Sequence, residues 1–537
     1  MPRTPPRRAV RPRPTVAVVG GGIAGLVAAW QLTGGAAGPG PDSPEVVVLE
    51  AAGCLGGKLR TAVFAGRTVD IGPDAFLGRR PEAAELCREL GLAPAMTPIA
   101  AAGAEVWARG RRRPLPEGLV LGVPTRFWPL ARSRILSTPG TLRVLVDVVF
   151  PRPAARGPIG DRAIGPLIAR KLGRSVVDTL VDPLIGGINA GGVADMSTAA
   201  AFPLLLAVAQ RRASFMKSLR RAAATGVPGP VRPAAAAAPE GDGNDGPAEA
   251  GGVVGGAAGG AAGGSGAAEP PMFWALENGF SSLVDRLEAA LVARGVTIRT
   301  DSPLEVLGRT DGPAPWLLDT PAGPLRADGV VLALPAGAAA ALLGPHDDDA
   351  ATLLGGIDYA SVAVVTLSYS AGATAAPLSG TGLLVPHSAL APGPDGDRFV
   401  VTACSYLSNK WPHLARPDDI VVRASVGRFG DTRFASMTDD ELAARVAEEL
   451  ETLVGLVSPP AASLVTRWPG SFPQYRVHHL LRVAGIEAAV KRLPALAVAG
   501  AAYRGVGIPA CVASGRSAAW AVLESLAGAP ESAAPPA

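Results

Sequence analysis

The chain has 537 residues, of which 48% are hydrophobic and 18% are charged, and its formal net charge at pH 7 is +4. At roughly 150 residues per domain, this length predicts about three domains, or two large domains built from interrupted segments. The apolar share excludes a chain that is disordered throughout, and so small a net charge does not indicate nucleic-acid binding, which requires a clustered basic face.

The first predicted feature is a basic, Pro-rich tail over residues 1–14, followed by an apolar run at residues 16–29. We do not interpret this combination as a secretory signal, because the glycines of the run form a pattern with its own explanation. A second Arg-rich stretch, residues 109–113, predicts a solvated hairpin-like loop, and its contact with an anionic small molecule or lipid surface stays open. No stretch of about 18 apolar residues runs without Pro, charge or dense Gly. We therefore expect a cytoplasmic protein without a transmembrane segment, and peripheral membrane contact stays open.

Hydrophobic patterning along the chain predicts an α/β fold. The predicted strands are residues 15–20, 45–50, 296–299, 330–334 and 495–500. The predicted helices that accompany them are residues 22–32, 281–294 and 507–526. Residues 159–172 and 197–219 look helical and lack an alternating strand partner, which indicates a separate helical lobe. Residues 222–271 are dominated by Ala, Gly and Pro, which predicts a flexible insert without direct chemistry.

A glycine-rich turn joins the first predicted strand to the first predicted helix. It reads Gly20-Gly-Gly22-Ile-Ala-Gly25, in which the first glycine permits a tight turn, the second lets backbone approach a pyrophosphate, and the third packs helix against strand. The helix amino terminus offers unpaired N–H groups to phosphates. Glu50 ends the second strand, where a carboxylate can bind the adenosine ribose, and the polar insertion 34–44 accounts for the long spacing. The pattern predicts a dinucleotide site.

The sequence after Glu50 favours FAD over a nicotinamide cofactor. Residues 51–58 read AAGCLGGK, which places a second glycine pair at the distance seen in FAD oxidoreductases, where it also lies near the cofactor phosphates. An ordinary Gly-Gly turn is the structural alternative. The four cysteines, Cys54, Cys87, Cys404 and Cys511, are too scattered for a zinc site. We expect reduced, passive thiols and no bound metal.

A third constellation lies near the end of the chain. A predicted strand leads into the turn Gly505-Val-Gly507-Ile-Pro509 and then into a helix. The amino terminus of that helix is suited to the pyrimidine edge or the ribityl chain of a flavin. Two such termini at opposite ends of the sequence predict one folded FAD domain that is interrupted by a substrate lobe.

Several stretches resemble the oxygen-dependent protoporphyrinogen/coproporphyrinogen oxidases of haem synthesis, within the amine oxidase superfamily. The most specific are residues 50–60, DIGPDAFL at 70–77, DPLIGGINAG at 182–191, WPGSFPQY at 468–475 and GVGIPACVASG at 505–515. The resemblance covers most of the chain apart from the tails and the insert. It implies a Rossmann-like FAD-binding domain of the amine oxidase/GR2 type, an α+β substrate-binding lobe and a helical subdomain.

The resemblance also implies a division of the chain and a set of FAD contacts. The predicted segments are a tail (1–14), FAD-binding parts (15–80, 272–340 and 466–527), a helical/substrate lobe (81–221), the insert (222–271), a substrate-binding lobe (341–465) and a second disordered tail (528–537). The implied FAD contacts are Gly20, Gly21, Gly22, Ile23, Ala24, Gly25, Glu50, Ala51, Gly57, Lys58, Gly72, Pro73, Asp74, Ala75, Leu304, Trp468, Val506, Gly507 and Ile508.

The chemistry implied by the resemblance is a six-electron aromatisation of a porphyrinogen. FAD takes the electrons in three two-electron steps, and molecular oxygen reoxidises the flavin and gives hydrogen peroxide. Because the flavin is the oxidant, no catalytic side chain is nominated. His478 and His479, at a predicted helix start, are interpreted as structural.

Two substrates of the family compete. Coproporphyrinogen III carries four propionates and protoporphyrinogen IX carries two. Asp74 within GPDAF resembles the coproporphyrinogen-oxidising branch of Gram-positive bacteria, and the Arg-rich, Lys-poor, Ala-rich composition suits a high-GC actinobacterial genome. We therefore favour coproporphyrinogen III, with protoporphyrinogen IX as the alternative. The resemblance also implies that product passes to a ferrochelatase, through transient contact with that enzyme or with a coproheme decarboxylase.

Three other functions stay open at this point. One is another flavoenzyme of the amine oxidase fold, such as a polyamine oxidase or a carotenoid desaturase. The second is a flavin-binding scaffold without turnover. The third is a Rossmann-like protein that binds no FAD.

Overall fold

The computed structural model describes residues 13–150, 160–209, 213–224, 271–312, 314–374, 376–391 and 397–528. The predicted tails and the predicted insert 222–271 lie outside these ranges, apart from residues 13–14, 222–224, 271 and 528. Within the described ranges, no helix combines the length and the apolar character needed to cross a membrane.

The strands of the described residues are, in chain order, β1 (Thr15–Val19), β2 (Glu45–Leu49), β3 (Thr61–Phe64), β4 (Arg67–Asp70), β5 (Phe76–Leu77), β6 (Met96–Pro98), β7 (Glu105–Ala108), β8 (Arg111–Pro114), β9 (Leu119–Val120), β10 (Val123–Pro124), β11 (Phe273–Leu276), β12 (Thr297–Arg299), β13 (Val306–Arg309), β14 (Trp316–Asp319), β15 (Leu325–Ala327), β16 (Gly329–Leu332), β17 (Tyr359–Ser370), β18 (Gly382–Leu384), β19 (Val401–Tyr406), β20 (Asp419–Val426), β21 (Ala462–Pro473) and β22 (Leu496–Val498).

The helices are α1 (Ile23–Leu32), α2 (Pro81–Glu89), α3 (Phe127–Ser133), α4 (Thr138–Val149), α5 (Ile164–Leu172), α6 (Arg174–Val176), α7 (Gly187–Asn189), α8 (Thr198–Ala201), α9 (Pro203–Ala209), α10 (Phe215–Ala224), α11 (Ser281–Ala293), α12 (Ala336–Leu343), α13 (Asp348–Gly355), α14 (Leu407–Lys410), α15 (Asp439–Val454), α16 (His479–Val490) and α17 (Ile508–Gly528). A π-helical segment, Val177–Gly186, lies between α6 and α7.

A five-stranded parallel sheet positions the predicted cofactor residues. Its strand order is β12-β2-β1-β16-β22, so the predicted strands from both halves of the chain pair side by side. Side chains alternate across a strand. Val16 and Val18 face the apolar cluster formed with α1, α2, α11 and α17, whereas Ala17 and Val19 face the cluster formed with α12, α13 and α16. Cover on both faces explains why β1 and β2 are continuous apolar runs.

A second sheet has seven strands in the order β21-β17-β20-β19-β18-β7-β8, and α15 packs on one of its faces. The Arg-rich stretch 109–113 forms the predicted hairpin at one edge of this sheet, where Arg109 and Gly110 make the turn with positive φ. Arg113 is buried and donates from Nε to the carbonyl of Ala108 at 3.2 Å. Its exposed neighbour Arg111 places charge on the edge strand, which discourages pairing with another chain.

The helical lobe comprises α3 to α10, and apolar side chains of these helices other than α7 share one core with β9 and β10. The predicted helix 197–219 is interrupted, because α8 ends before Phe202, which has extended φ of −151°, and α9 begins at Pro203. A residue that precedes proline is pushed out of the helical region. The sequence pattern was therefore right about helix content here and wrong about continuity.

Parts of two predicted segments pack with elements that belong to other predicted segments. Leu342 and Leu354, which fall within the segment 341–465, pack in the same cluster as the parallel sheet. Strands β7 and β8, from the segment 81–221, belong to the seven-stranded sheet. The domain boundaries themselves stay predictions.

Candidate functional site

The turn between β1 and α1 brings backbone into unusually close contact. Gly20 has φ +108°, and a Cβ atom built on it would lie 2.5 Å from the carbonyl oxygen of Ala333. A Cβ on Gly25 would lie 1.9 Å from the carbonyl oxygen of Gly20. By contrast, a Cβ on Gly22 would meet nothing within 4 Å, and no described side chain caps the amino terminus of α1. The first turn of α1 therefore presents free N–H groups to an open space, which is an anion-binding arrangement.

Glu50 follows β2 at the carboxyl edge of the sheet. Its Oε2 accepts a hydrogen bond from the N–H of Gly21 at 2.7 Å, and its Oε1 accepts one from the N–H of Ala52 at 2.8 Å. These two bonds fix the carboxylate beside the glycine turn. Each oxygen keeps lone-pair capacity for a further donor, such as a ribose hydroxyl.

The second glycine pair lies directly against the first glycine turn. The N–H of Gly56 donates to the carbonyl of Gly21 at 2.8 Å, and a Cβ on Gly57 would lie 3.3 Å from the Cα of Gly22. Cys54 is exposed in this loop and accepts from Nη2 of Arg60 at 2.9 Å. The four cysteines are unpaired.

Residues 70–77 lie against the loop that contains the second glycine pair. A Cβ on Gly72 would lie 1.8 Å from the carbonyl oxygen of Lys58, so Gly72 packs directly on the Gly-Gly-Lys turn. Trp468, on β21 of the seven-stranded sheet, donates from Nε1 to the carbonyl of Ile71 at 2.9 Å. Desolvation lowers the pKa of Lys58, and the nearby Cys511 opposes that shift. Segments from both sheets thus meet at one place.

The amino terminus of α17 lies at the same edge of the sheet as that of α1. Gly515, in α17, contacts α1 so closely that a Cβ would lie 2.2 Å from the carbonyl oxygen of Ala24. The turn before α17 contains Gly505, which has φ +143°. Leu304 packs against the apolar cluster of Val19 and Leu49, the last residues of two parallel strands. The structure therefore gathers the predicted residues from all parts of the chain.

Residues 23–523 match the family described as flavin containing amine oxidoreductase. The chain belongs to this family. It is 33% identical over 518 residues to the coproporphyrinogen III oxidase of Mycobacterium tuberculosis (strain ATCC 25618 / H37Rv), a match that covers 95% of this chain and 97% of that protein. It is 28% identical over 506 residues to the coproporphyrinogen III oxidase of Bacillus subtilis (strain 168), covering 94% and 96%. A solved structure of a candidate protoporphyrinogen oxidase from Exiguobacterium sp. 255-15 is 29% identical, with a TM-score of 0.77 and coverage of 95% and 99%.

The gathered residues fit FAD, the cofactor of this family of flavin oxidoreductases. The open space at Gly22 admits a pyrophosphate at the amino terminus of α1. Glu50, held by two backbone N–H groups, is placed to accept from the ribose hydroxyls. The first turn of α17 offers the backbone N–H groups of Ile508 and Ala510 as a second set, since Pro509 has none.

Asp74 is a predicted contact whose side chain is paired with charged residues of the protein. Its Oδ2 accepts from Nζ of Lys410 at 2.8 Å and from Nε1 of Trp411 at 3.2 Å, and Arg423 lies 3.9 Å away. Burial alone would raise the pKa of Asp74, but the Lys410 ammonium and the Arg423 guanidinium overcome that effect and hold it well below its usual range. The ionised carboxylate therefore ties the stretch 70–77 to the seven-stranded sheet through Arg423 on β20, and to Lys410 and Trp411 beside that sheet.

Sequence reasoning missed Asp70, Lys410 and Arg423. Asp70 accepts from the N–H of Phe280 at 2.8 Å, next to the start of α11, and burial raises its pKa to about 7 against the effect of that bond. Arg423 donates to the backbone carbonyls of Asp70 and Gly72. One signal was available, because the chain has only five lysines and two of them, Lys58 and Lys410, lie at this site.

An apolar wall lies next to Trp468. It is formed by Ala190, Ala360 and Val362, with Trp468 and Phe472 packed against them.

The DPLIGGINAG stretch supplies Ala190 at the end of the π-helical segment and α7. Two contacts hold that turn, since Arg428 forms an ion pair of 3.0 Å with Asp182 and donates to the carbonyl of Gly191 at 3.0 Å. The stretches 182–191 and 468–475, on which the family resemblance partly rests, thus contribute to one surface.

Proposed function

We propose that this protein is an FAD-dependent oxidase that converts coproporphyrinogen III to coproporphyrin III in haem synthesis. The observation that carries the proposal is similarity over nearly the whole chain to proteins named coproporphyrinogen III oxidase, at 33% identity for the mycobacterial protein. The gathered glycine turns, Glu50 and the adjacent apolar wall give this proposal a physical basis.

When bound, FAD would remove six electrons and six hydrogens from the macrocycle in three steps, with three molecules of O2 reduced to three of H2O2. The residues proposed to hold it are the predicted set: residues 20–25, Glu50, Ala51, Gly57, Lys58, residues 72–75, Leu304, Trp468 and residues 506–508. Asp74 would contribute through its backbone, because its side chain is paired with Lys410.

The chain's own part is to bind and orient. A porphyrinogen is a large apolar macrocycle with charged propionates at its rim, and an apolar wall stabilises such a body by excluding water from it. The wall of Ala190, Val362, Trp468 and Phe472 adjoins the proposed flavin contacts through Trp468. We propose that the macrocycle packs on this wall.

Protoporphyrinogen IX is the second candidate substrate, favoured by the similarity to the Exiguobacterium structure. Transfer of product to a ferrochelatase, through transient contact with it or with a coproheme decarboxylase, belongs to the same proposal. The two substrates differ in their number of propionates, so a direct comparison separates them.

The test measures porphyrin fluorescence during aerobic incubation of the FAD-loaded protein with each porphyrinogen, corrected for autoxidation in a protein-free control. A faster rate with coproporphyrinogen III is the expected result. An equal or faster rate with protoporphyrinogen IX would move the protein to the other substrate. No rate above the control with either, despite bound flavin, would reject porphyrinogen oxidation and leave an amine oxidase, a desaturase or a scaffold.

Gly22→Val tests the cofactor site separately. Gly22 has φ −73°, which any residue adopts, and its Cβ would point into open space. The apoprotein should fold with a loss of at most about 1 kcal/mol, since the helix start lacks only a favourable N-cap residue. Its FAD affinity should fall at least ~100-fold, because the side chain occupies the space for the pyrophosphate.

The matched control is Gly355→Val, at the exposed end of α13, where a Cβ also meets nothing within 4 Å. This variant should bind FAD like the unchanged protein. Normal FAD binding by the Gly22→Val protein would place the cofactor elsewhere.

A further inference from the structure

Two buried side chains hold the turn that precedes α17. The hydroxyl of Tyr475 donates to the carbonyl of Ala501 at 2.5 Å and accepts from the N–H of Gly505 at 2.8 Å. One hydroxyl therefore joins both ends of the turn and uses its donor and one acceptor position to do so.

His479 contributes the second contact. Its Nε2 lies 2.8 Å from the carbonyl oxygen of Tyr503, in the middle of the same turn. Burial is the main cause that lowers the pKa of His479 to about 4, so the ring is neutral near pH 7 and Nε2 must carry the proton that it donates. The rings of Tyr475 and His479 stack, with centroids 4.0 Å apart and planes inclined by 17°.

The turn needs such contacts because its own sequence is permissive. Gly500 and Gly505 bracket it with φ of +126° and +143°. Glycine at positive φ loses more conformational freedom on ordering than other residues. Three contacts to Ala501, Tyr503 and Gly505 restrain the turn from the buried side, in addition to the bond from the N–H of Gly500 to Ser514 and the ion pair of Arg504 with Glu487.

Tyr475 also links β21 of the seven-stranded sheet, the helical lobe and the turn before α17. It lies two residues after β21, the strand that carries Trp468. Its backbone carbonyl accepts from the N–H of Ser197, in the helical lobe, at 2.8 Å. Its side chain reaches the turn before α17.

We propose that Tyr475 and His479 are positioning residues that fix the turn at residues 501–505 and thereby place Val506, Gly507 and Ile508 for FAD. The proposal rests on the proposed function, because it takes these three residues as cofactor contacts. Neither side chain needs to touch the flavin. They act through the backbone that they hold.

The test compares Tyr475→Phe, His479→Leu and His479→Gln in the full chain. Tyr475→Phe removes both hydroxyl contacts and keeps the stacked ring. His479→Leu removes the donor to Tyr503, whereas His479→Gln keeps an amide N–H at the corresponding distance.

The control is Trp316→Phe. Trp316 is fully buried, and the variant loses its 2.7 Å bond from Nε1 to the carbonyl of Pro494, at the opposite, amino edge of the parallel sheet. Trp316 belongs to the same apolar cluster as Ala502 and Tyr503, but among the described residues its side chain donates to Pro494 and not to the turn, so the variant should weaken the cluster and keep the turn's hydrogen bonds.

Three measurements are made on each protein: amide hydrogen exchange of the apoprotein over residues 499–508, the Kd for FAD, and the visible circular dichroism of the bound flavin. Tyr475→Phe and His479→Leu should exchange about 10-fold faster over this segment, bind FAD about 5- to 10-fold more weakly, and give an altered flavin spectrum. His479→Gln should stay within about twofold of the unchanged protein, and Trp316→Phe should match it in all three.

Unchanged exchange over residues 499–508 in Tyr475→Phe and His479→Leu would overturn the proposal. So would changes that Trp316→Phe reproduces, because they would report stability alone. If the unchanged protein binds no FAD, the proposed function fails. Exchange of the apoprotein still decides whether the two side chains hold the turn.

Discussion

Replacing Gly515 by alanine adds one methyl group at the place where α1 and α17 touch. The new carbon would lie 2.2 Å from the carbonyl oxygen of Ala24 and 3.2 Å from the backbone nitrogen of Ala28. Both are backbone atoms, so no side-chain rotation can relieve the contact. The two helices must move apart, and each carries one of the amino termini proposed to face the cofactor.

The magnitude follows from two opposing effects. Alanine is better than glycine in a helix by about 1 kcal/mol. Overpacking a tight interior costs about 1–3 kcal/mol, and a backbone contact that cannot relax lies at the upper end of that range. We therefore expect Gly515→Ala to lower the free energy of unfolding by about 1–2 kcal/mol. Gly355→Ala, whose Cβ is in open space at the end of α13, should be neutral or slightly stabilising.

The assay is chemical denaturation of the two apoproteins beside the unchanged protein, followed by FAD titration. Opposite signs for the two glycine substitutions are expected, together with weaker FAD binding in Gly515→Ala only. If Gly515→Ala is as stable as Gly355→Ala, the helices do not approach as described and the reasoning is refuted.

Two further predictions concern the carboxylates at the boundary between the sheets. Lys410→Met should destabilise the protein by about 3 kcal/mol, because it leaves the half-buried Asp74 carboxylate with the Trp411 N–H and, as its only cation, the more distant Arg423. Lys410→Met/Asp74→Asn should recover more than half of that loss in denaturant unfolding. A single variant as stable as the unchanged protein would contradict this. Burial raises the pKa of Asp70 from 3.8 to about 7, so the native state binds a proton that the unfolded chain releases, and stability should fall as pH rises between those values. Relative to Asp70→Asn, the free energy of unfolding of the unchanged protein should fall by about 3 kcal/mol between pH 5 and pH 8. If the difference in unfolding free energy between the two proteins does not change with pH, the raised pKa of Asp70 is contradicted.

The parallel sheet was predictable because the residues of each strand indicate by themselves that both of its faces are buried. The predicted strand 15–20 is observed as Thr15–Val19, and 45–50 as Glu45–Leu49. A strand that is apolar on both faces must pack against other elements on both faces, and this can be read from its own sequence. The seven-stranded sheet was not predictable in the same way. It draws β7 and β8, β17 to β20, and β21 from distant segments, and long-range pairing leaves no local pattern.

The same difference between local patterns and long-range contacts applies to the candidate site. The glycine turns and Glu50 are local motifs, and the structure brings them together as expected. Lys410 and Asp74 are separated by more than 300 residues, so neither position alone predicts the other. His479 was interpreted as structural, and its bond to the carbonyl of Tyr503 agrees with that interpretation. That Tyr475 and His479 both contact the turn before α17 could not be inferred, because Ala501 and Tyr503 lie more than 20 residues further along the chain.

The order of residues along β21 suggests how substrate and cofactor surfaces are kept in register. Trp468 and Phe472 contribute to the apolar wall, and Tyr475 holds the turn before α17. All three lie within eight consecutive residues, 468–475, on or directly after one strand. β21 pairs with β17 on both sides of an irregularity that lies between Trp468 and Phe472, so the pairing fixes the register of each part of the strand. The residues of the proposed substrate surface and the hydroxyl that holds the turn before α17 are therefore placed by one short stretch of chain.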